Sequence, residues 1–302
     1  MHLWITRGAH NAFMSTKPKI LIQLDPDRQA SVFDRVVGVD AGADHVFSCR
    51  HVTLDQVQSL VHGAIFTRGP DELHRTAIFI GGEDVELGDQ ILAQVQSAFL
   101  GPLRVSVMVD ANGSNTTAAA AVLTARKHVD LTGAVALVLA GTGPVGQRAT
   151  LLLAREGARV RLASRSLHRA TDKADEVNKN LDNKITPVET SNDETTAAAL
   201  AGAHVVIAAG AAGVRVLSES ARTGNADGDL KVAIDLNAVP PLGIEGVEVT
   251  DKAQMRGGAA CYGAIGVGGT KMKIHKAAIT SMFEANDRVL DAQTIYELGK
   301  AL

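Results

Sequence analysis

The sequence predicts an α/β protein of two domains, each built on a mostly parallel sheet. Three observations carry this reading. Apolar runs alternate with amphipathic helical stretches along the chain, the pattern that joins strands through helices. One apolar run, Val135 to Ala140, ends in Gly141-x-Gly143-x-x-Gly146 and is followed by a helical pattern at Ala149 to Ala154. The length, 302 residues, suits two domains rather than one.

In chain order, Lys19 to Leu24 reads as the first strand, Val32 to Ala41 as a helix, and Val46-Phe47 as a short strand. Thr53 is a cap for a helix through Val61. Ala64 to Thr67 and Thr76 to Gly81 are apolar segments. Glu83 to Phe99 places Val85, Leu87, Ile91, Leu92, Val95 and Phe99 on one helical face. A strand is expected over Leu103 to Val109. The polar loop Asp110 to Thr117 then leads into an Ala-rich helix from Thr117 to His128, which links the two domains. After the glycine motif, strands are expected at Gly157 to Arg165, Ala203 to Ala209, Lys231 to Leu236 and near Val247 to Val249. The stretch from Gly266 opens a last helical region that is expected to return to the first domain. The expected division is a disordered extension at 1–13, with Met14 opening a substrate domain at 14–116, a nucleotide-binding domain at 117–268, and a C-terminal helical segment at 269–302.

The glycine motif has a physical meaning in its strand–turn–helix setting. Gly141 permits the tight turn, Gly143 lets backbone approach a pyrophosphate, and Gly146 lets helix and strand pack closely. Thr142, Pro144 and Val145 complete the loop. The pyrophosphate would sit on unpaired N–H groups at the helix start. This identifies a Rossmann-type domain. NAD-binding units place a carboxylate on the ribose roughly 20 residues further on. Here the strand end holds Ser164 and Arg165, with Arg169 one turn later. A hydroxyl and guanidinium groups suit a phosphate, so the expected cofactor is NADP. The plain alternative is that Arg165 is a solvated loop residue.

Composition bounds the partners. The net charge of −3 suggests neither a nucleic-acid nor a membrane surface. No apolar run reaches the roughly 18 residues that span a bilayer, and residues 1–13 lack the apolar core of a signal peptide. The two cysteines, Cys49 and Cys261, make no disulfide framework and fit a reducing cytoplasm. His45, Cys49 and His51 lack the paired spacing of a zinc site, so no metal is expected.

Several motifs together resemble one family. They are Ile22-Gln-Leu-Asp25, Ser31-Val-Phe-Asp34, Gly42-Ala-Asp44, Thr67-Arg-Gly69, Ala77-Ile-Phe-Ile-Gly-Gly82, Asn112-Gly-Ser-Asn-Thr-Thr-Ala-Ala-Ala120, Ala140-Gly-Thr-Gly-Pro-Val-Gly146, Asn237-Ala-Val-Pro-Pro-Leu-Gly243 and Gly268-Gly-Thr-Lys271. The chain from about Lys17 onward resembles the bacterial NADP-dependent methylene-tetrahydromethanopterin dehydrogenases of one-carbon metabolism. The resemblance implies a pterin bound between two domains, a homo-oligomer (a trimer in the family), a cofactor role for Asn237 and a functional lysine at Lys271. It also implies that some members accept methylene-tetrahydrofolate.

The implied reaction needs no base, because the methenyl product cation is stabilised by its own nitrogens; positioning and electrostatics are what the protein must supply. Lys271 follows a Gly-rich turn and is expected to orient the pterin or bias protonation of the bridge nitrogen. Asp110, Asn112, Ser114 and Asn115 sit where a strand ends and a helix begins, a place where ligands gather in α/β folds; helix capping by Ser114, Asn115 or Thr116 is the plain alternative. Arg68, read as following a strand, is a candidate for the substrate's acidic tail, with a surface salt bridge as the alternative. His275 is expected to be a satisfied helix residue, and Lys273 a solvated one. Competing readings are a methylene-tetrahydrofolate dehydrogenase with the same chemistry, and a non-enzymatic NADP-sensing protein on the same fold. A shikimate-type dehydrogenase would need a Lys–Asp pair in the first domain, where only Lys17 and Lys19 are available.

Overall fold

Ile20–Leu24 forms β1 and is followed by α1 (Val32–Asp40), β2 (His45–Cys49), α2 (Leu54–Ile65), β3 (Thr76–Ile80), α3 (Val85–Ser97) and β4 (Ser106–Val109). Ser31 caps α1 by accepting from the Asp34 N–H at 3.2 Å, and Asp84 caps α3 by accepting from Leu87 N–H at 3.0 Å. All residues of β3 and β4 are buried. Helices on both faces of a parallel sheet require this, which is why these strands read as unbroken apolar runs. The computed structural model describes residues 17–179, 181, 185–224 and 229–302; the extension expected at 1–13 and the start at Met14 lie outside the described residues.

The chain then crosses through α4 (Ser114–Arg126) into a second sheet. Its elements are β5 (Val135–Leu139), α5 (Pro144–Arg155), β6 (Arg159–Ser164), α6 (Leu167–Asn178), β7 (Thr186–Glu189), α7 (Asp193–Leu200), β8 (Val205–Ala208), α8 (Glu219–Thr223), β9 (Val232–Asp235), β10 (Lys252–Arg256) and β11 (Ala259–Tyr262). The end of the chain forms α9 (Ala264–Ser281), β12 (Val289–Leu290) and α10 (Ala292–Lys300). β12 pairs in parallel with β4 through Val289 and Leu290. Lys276 Nζ lies 2.8 Å from Asp40 Oδ2, and Thr280 Oγ1 donates to Ala41 O at 2.9 Å. These contacts fasten α9 to α1.

The two sheets have different strand orders, and the orders locate the sites. The five-stranded sheet runs β12-β4-β3-β1-β2, all parallel. Read from β2, this is the doubly wound order 2-1-3-4-5, whose switch point lies between β1 and β3. The seven-stranded sheet runs β10-β11-β9-β8-β5-β6-β7. Without β10 it is the 3-2-1-4-5-6 order of a dinucleotide-binding sheet, with its switch point between β5 and β8.

α4 joins the halves. Ala118, Ala119, Ala120 and Ala121 are all fully buried, because α5, α9 and α10 all pack against this helix. Small side chains on every face let the neighbouring helices approach from all sides, and a helix apolar all round is a buried one.

Two expectations about elements are corrected. No strand forms near Val247 to Val249; Val247 and Asp251 donate into turns, to Ile244 O and Glu248 O. The edge is supplied instead by the antiparallel hairpin β10–β11. Its turn holds Gly257 at φ +58° and Gly258 at φ +85°, left-handed positions that a tight hairpin turn demands and glycine fills without strain. The Ala-rich helix begins at Ser114, three residues before the expected Thr117, because Asp110 rather than a residue of that segment satisfies its first N–H groups. Asp110 Oδ1 accepts from Asn115 N at 2.9 Å and from Thr116 N at 3.0 Å, and Oδ2 accepts from Thr116 Oγ1 at 2.6 Å.

Candidate functional site

A cavity of about 380 Å³ opens at the carboxyl ends of β5 and β8, lined by Ala140, Thr142, Gly143 and, across from them, Ser164, Arg165 and Arg169. Gly143 has φ −77° and ψ 166°, backbone that any residue adopts. A Cβ built on it would meet nothing nearer than Ala140 O at 3.6 Å and Ala209 O at 3.9 Å. Neither the backbone nor the packing calls for glycine there, and the position opens on the cavity. Gly146 differs: its Cβ would fall 2.7 Å from Gly141 Cα, so this glycine sets helix–strand packing. Gly141 turns the chain, donating its N–H to Ala163 O at 2.8 Å. Pro144 occupies the first turn of α5, where a missing N–H costs nothing, and Val145 packs on the core. Arg165 and Arg169 are exposed, and neither forms an ion pair among the described residues.

Thr190, Ser191 and Asn192 add a polar wall to this cavity. Sequence reasoning missed them because β7 is a short, half-exposed edge strand without alternation. Asn237 is not brought to the cavity lining. Its Nδ2 donates to Pro241 O at 3.2 Å and its Oδ1 accepts from Val239 N at 2.9 Å, so the amide holds its own loop.

A second cavity, of about 440 Å³, lies at the switch point of the five-stranded sheet. Residues after β1 (Asp27, Gln29, Ser31, Phe33, Asp34), after β3 (Gly82, Glu83) and after β4 (Asn112, Gly113) line it together with Lys271 from α9. Gly113, at φ +58°, would overlap Lys271 Nζ if it carried a Cβ, so the ammonium lies directly on that backbone. Nζ also sits 5.9 Å from the Phe33 ring centroid, within cation–π range. Asn112 adopts φ +53° and is exposed to the cavity.

The other expected substrate residues are accounted for inside the fold. Ser114 is buried and its Oγ donates to Ala111 O at 2.8 Å. Asn115 is buried, donating from Nδ2 to Val109 O at 2.6 Å and accepting at Oδ1 from Arg148 Nε. Arg148 also reaches Asp89, with Nη2 2.8 Å from Oδ2 and 3.0 Å from Oδ1. This ion pair, in which one nitrogen is shared between both carboxylate oxygens, and the Asn115 bond tie α5, which carries the glycine loop, to α3 and α4. Asp110 is committed to capping. Arg68 lies at the other end of the sheet. It donates to Pro18 O and Arg75 O, each at 2.8 Å, ahead of β1 and β3, so a strand of roughly 16 Å separates it from the second cavity. The reason is that Ala64-Ile65 ends α2 rather than forming a strand.

Asp34 is the residue that sequence reasoning passed over, although it stands in the quoted Ser31-Val-Phe-Asp34 motif. Burial pushes its pKa up to about 6; the Ser31 hydroxyl opposes the shift, Asp110 and Asp25 add to it, and Lys271 opposes it. His275 is likewise not the satisfied helix residue expected. It is 1% exposed, stacks on Phe79 with centroids 5.6 Å apart, and neither ring nitrogen has a hydrogen-bond partner among the described residues. Burial depresses its pKa, against an opposing pull from Asp110, and Lys271 adds to the depression. Among the described residues no cluster of three His, Cys, Asp or Glu side chains could hold a metal. No helix among them is long and apolar enough to cross a membrane.

Residues 32–112 match the family model "Methylene-tetrahydromethanopterin dehydrogenase, N-terminal". The bifunctional protein MdtA of Methylorubrum extorquens is 46% identical over 286 residues, which is 94% of this chain and 99% of that protein. The NAD(P)-dependent methylenetetrahydromethanopterin dehydrogenase of the same organism is 34% identical over 290 residues, 93% of this chain and 97% of that protein. Among solved structures, shikimate 5-dehydrogenase from Listeria monocytogenes matches with a TM-score of 0.53 at 12% identity, covering 93% of this chain and 96% of that one. The ligand-free 5-ketofructose reductase of Gluconobacter sp. matches with a TM-score of 0.52 at 11% identity, covering 94% and 99%. These two likenesses concern the fold alone. The sequence relatives, each aligned over nearly the whole chain, show that this protein belongs to the methylene-tetrahydromethanopterin dehydrogenase family.

Proposed function

We propose that this chain oxidises methylene-tetrahydromethanopterin to methenyl-tetrahydromethanopterin by direct hydride transfer, with NADP as cofactor. The observation that carries the reading is Lys271 Nζ lying on the Gly113 backbone in one switch-point cavity, while a second switch-point cavity opens onto the bare backbone of Gly143. In open α/β sheets both are ligand-binding positions. In this reading residues 14–116 form the substrate domain, 117–268 the NADP domain, and 269–302 the segment that returns Lys271 and β12 to the first.

Gly141, Thr142, Gly143, Pro144, Val145 and Gly146 would cradle the pyrophosphate at the start of α5, and Ser164, Arg165 and Arg169 would meet the ribose phosphate. When bound, the nicotinamide supplies the hydride acceptor. Loss of hydride from the methylene carbon leaves a methenyl cation delocalised over the two flanking nitrogens, and no proton moves. Lys271 and Asn112 would therefore orient the bicycle rather than act as acid or base. The Arg148 bridge would fix the two cavities in one relative position. We further assign the enzyme to the cytoplasm, as a homo-oligomer. Measuring kcat/KM with methylene-tetrahydromethanopterin and methylene-tetrahydrofolate, each with NADP and NAD, tests this reading. The highest value is expected for the first pterin with NADP; a higher value for the folate would make this a methylene-tetrahydrofolate dehydrogenase, and no turnover would leave an NADP-sensing protein.

Cofactor selectivity has its own test. Arg165→Ala removes one charge-assisted contact to phosphate, typically about 1.5–3 kcal/mol, or roughly ten- to a hundredfold in affinity. NADP binding is expected to fall by that factor while NAD binding stays unchanged. Undiminished NADP affinity would return Arg165 to the solvent.

A further inference from the structure

We propose that Asp34 recognises the substrate's heterocycle, its carboxylate accepting two parallel N–H bonds from the aminopyrimidinone edge of a pterin. The inference rests on the tetrahydropterin reading above and adds which residue reads the ring and by which edge.

Of the five carboxylates at or beside this cavity, Glu83 is exposed to solvent and three others are engaged by donors of the fold. Asp25, Asp34 and Asp110 gather at the carboxyl ends of β1 and β4 and the start of α1. Asp25 is committed: Oδ1 accepts from Asp27 N at 3.0 Å, and Oδ2 accepts from Ser31 N at 3.0 Å and from Gln23 Nε2 at 3.3 Å. Asp110 is committed to the first turn of α4. Asp27, on the cavity wall, accepts from Glu83 N at Oδ2, 2.9 Å away. The Ser31 hydroxyl and, more weakly, the Lys271 ammonium support the Asp34 charge, and the carboxylate lines the cavity. A desolvated carboxylate with vacant acceptor sites is costly unless a donor arrives. Its raised pKa records that cost.

The chemistry that fits is a planar group presenting two adjacent N–H donors, the geometry in which guanidinium meets carboxylate. The pyrimidinone ring of a pterin has this edge, a ring N–H beside an exocyclic amino group. The Phe33 ring, half exposed at the same cavity, offers a flat apolar surface for the heterocycle. Asp34 would then fix the far edge of the ring system while Lys271 acts nearer its reacting side.

The test uses two fragments as competitive inhibitors, dimethyl-tetrahydropterin and its lumazine counterpart, in which an oxygen replaces the exocyclic amino group. The wild-type enzyme is expected to prefer the pterin by about ten- to a hundredfold, the worth of one charge-assisted hydrogen bond. In Asp34→Asn, which sets an amide donor against the ring donors, that preference should collapse. KM for the methylene pterin should rise by a similar factor, with kcat changed less and NADP affinity unchanged. Folding is controlled by melting temperature. The folded pKa of about 6 lies above the ordinary aspartate value of 3.8, so the half-buried charge destabilises the fold fully above about pH 6, and the penalty fades as pH falls toward 4. The neutral variant should therefore melt no lower than wild type at about pH 8. Equal inhibition by the two fragments in wild type, or a preference that survives Asp34→Asn, would overturn the assignment. Turnover without fragment discrimination would sink the Asp34 assignment alone. Discrimination without turnover would support Asp34 as the ring reader and sink the proposed reaction instead.

Discussion

Replacing Lys271 with Ala is expected to lower kcat/KM for the methylene pterin by about 10²- to 10⁴-fold, the range usual for one positioned polar or charged group. Its Nζ lies on the backbone of Gly113 and 5.9 Å from the Phe33 ring, inside a cavity whose other walls come from three different strand ends. Alanine leaves that cavity without its cation but removes no bond that holds an element in place. A step that needs no base is impaired, rather than abolished, by losing an orienting group. NADP affinity should stay within a few-fold, because the glycine loop belongs to the other cavity. Steady-state kinetics paired with NADP titration read both quantities. Unaltered turnover would move Lys271 to the solvent, and lost NADP binding would make it a cofactor contact.

Gly143→Val is expected to leave a folded protein that no longer binds the nucleotide. The position adopts extended backbone, which a β-branched residue tolerates well. The new Cβ finds ordinary contact distances, 3.6 and 3.9 Å. The two γ-methyls must then project toward the space that a pyrophosphate would fill, and a hydrogen-bonded phosphate cannot share it. A loss of more than about 10²-fold in NADP affinity is expected, equivalent to roughly 3 kcal/mol. Circular dichroism should report an unchanged fold. Gly146→Val makes the contrast, since its Cβ would lie 2.7 Å from Gly141 Cα and 2.9 Å from Ala140 O; there the damage should appear as lost stability. Wild-type NADP binding in a folded Gly143→Val protein would reduce the loop to a turn.

Much of the framework was legible because it obeys local rules. β5, β8 and β9 are apolar runs buried in parallel sheet, β1 is one broken only by Gln23, and the glycine loop shows itself through the strand before it and the helix after it. What stayed hidden depends on placement in space. β10 is an exposed edge strand, Lys252–Arg256, with no alternation to reveal it. β12 has two residues and pairs with β4, distant in sequence, through Val107 and Met108. Ser114 and Asn115 looked like ligand contacts because polar residues at a strand–helix junction serve equally well as caps and struts. Only the Arg148 bond from α5 and the Val109 carbonyl show that the Asn115 amide is used up. Arg68 lies away from the cavity because Ala64-Ile65, apolar enough to suggest a strand, ends α2. Asp34 was missed for a different reason. An acidic residue in the first turn of a helix is ordinary dipole chemistry. Its isolation becomes visible only when Asp25 and Asp110, distant in sequence, are found beside it with their oxygens already engaged.

The central claim is that one hydride passes directly from substrate to nucleotide, with Lys271 orienting the pterin. The most direct measurement supplies methylene-tetrahydromethanopterin carrying deuterium at both methylene positions and follows the label into the reduced nucleotide. The account predicts that each turnover places one deuterium on the nicotinamide ring, that none appears in water, and that Lys271→Ala slows the transfer without changing the destination of the label. Deuterium released to solvent would contradict it, since a proton-transferring base would then have to exist where no base has been assigned.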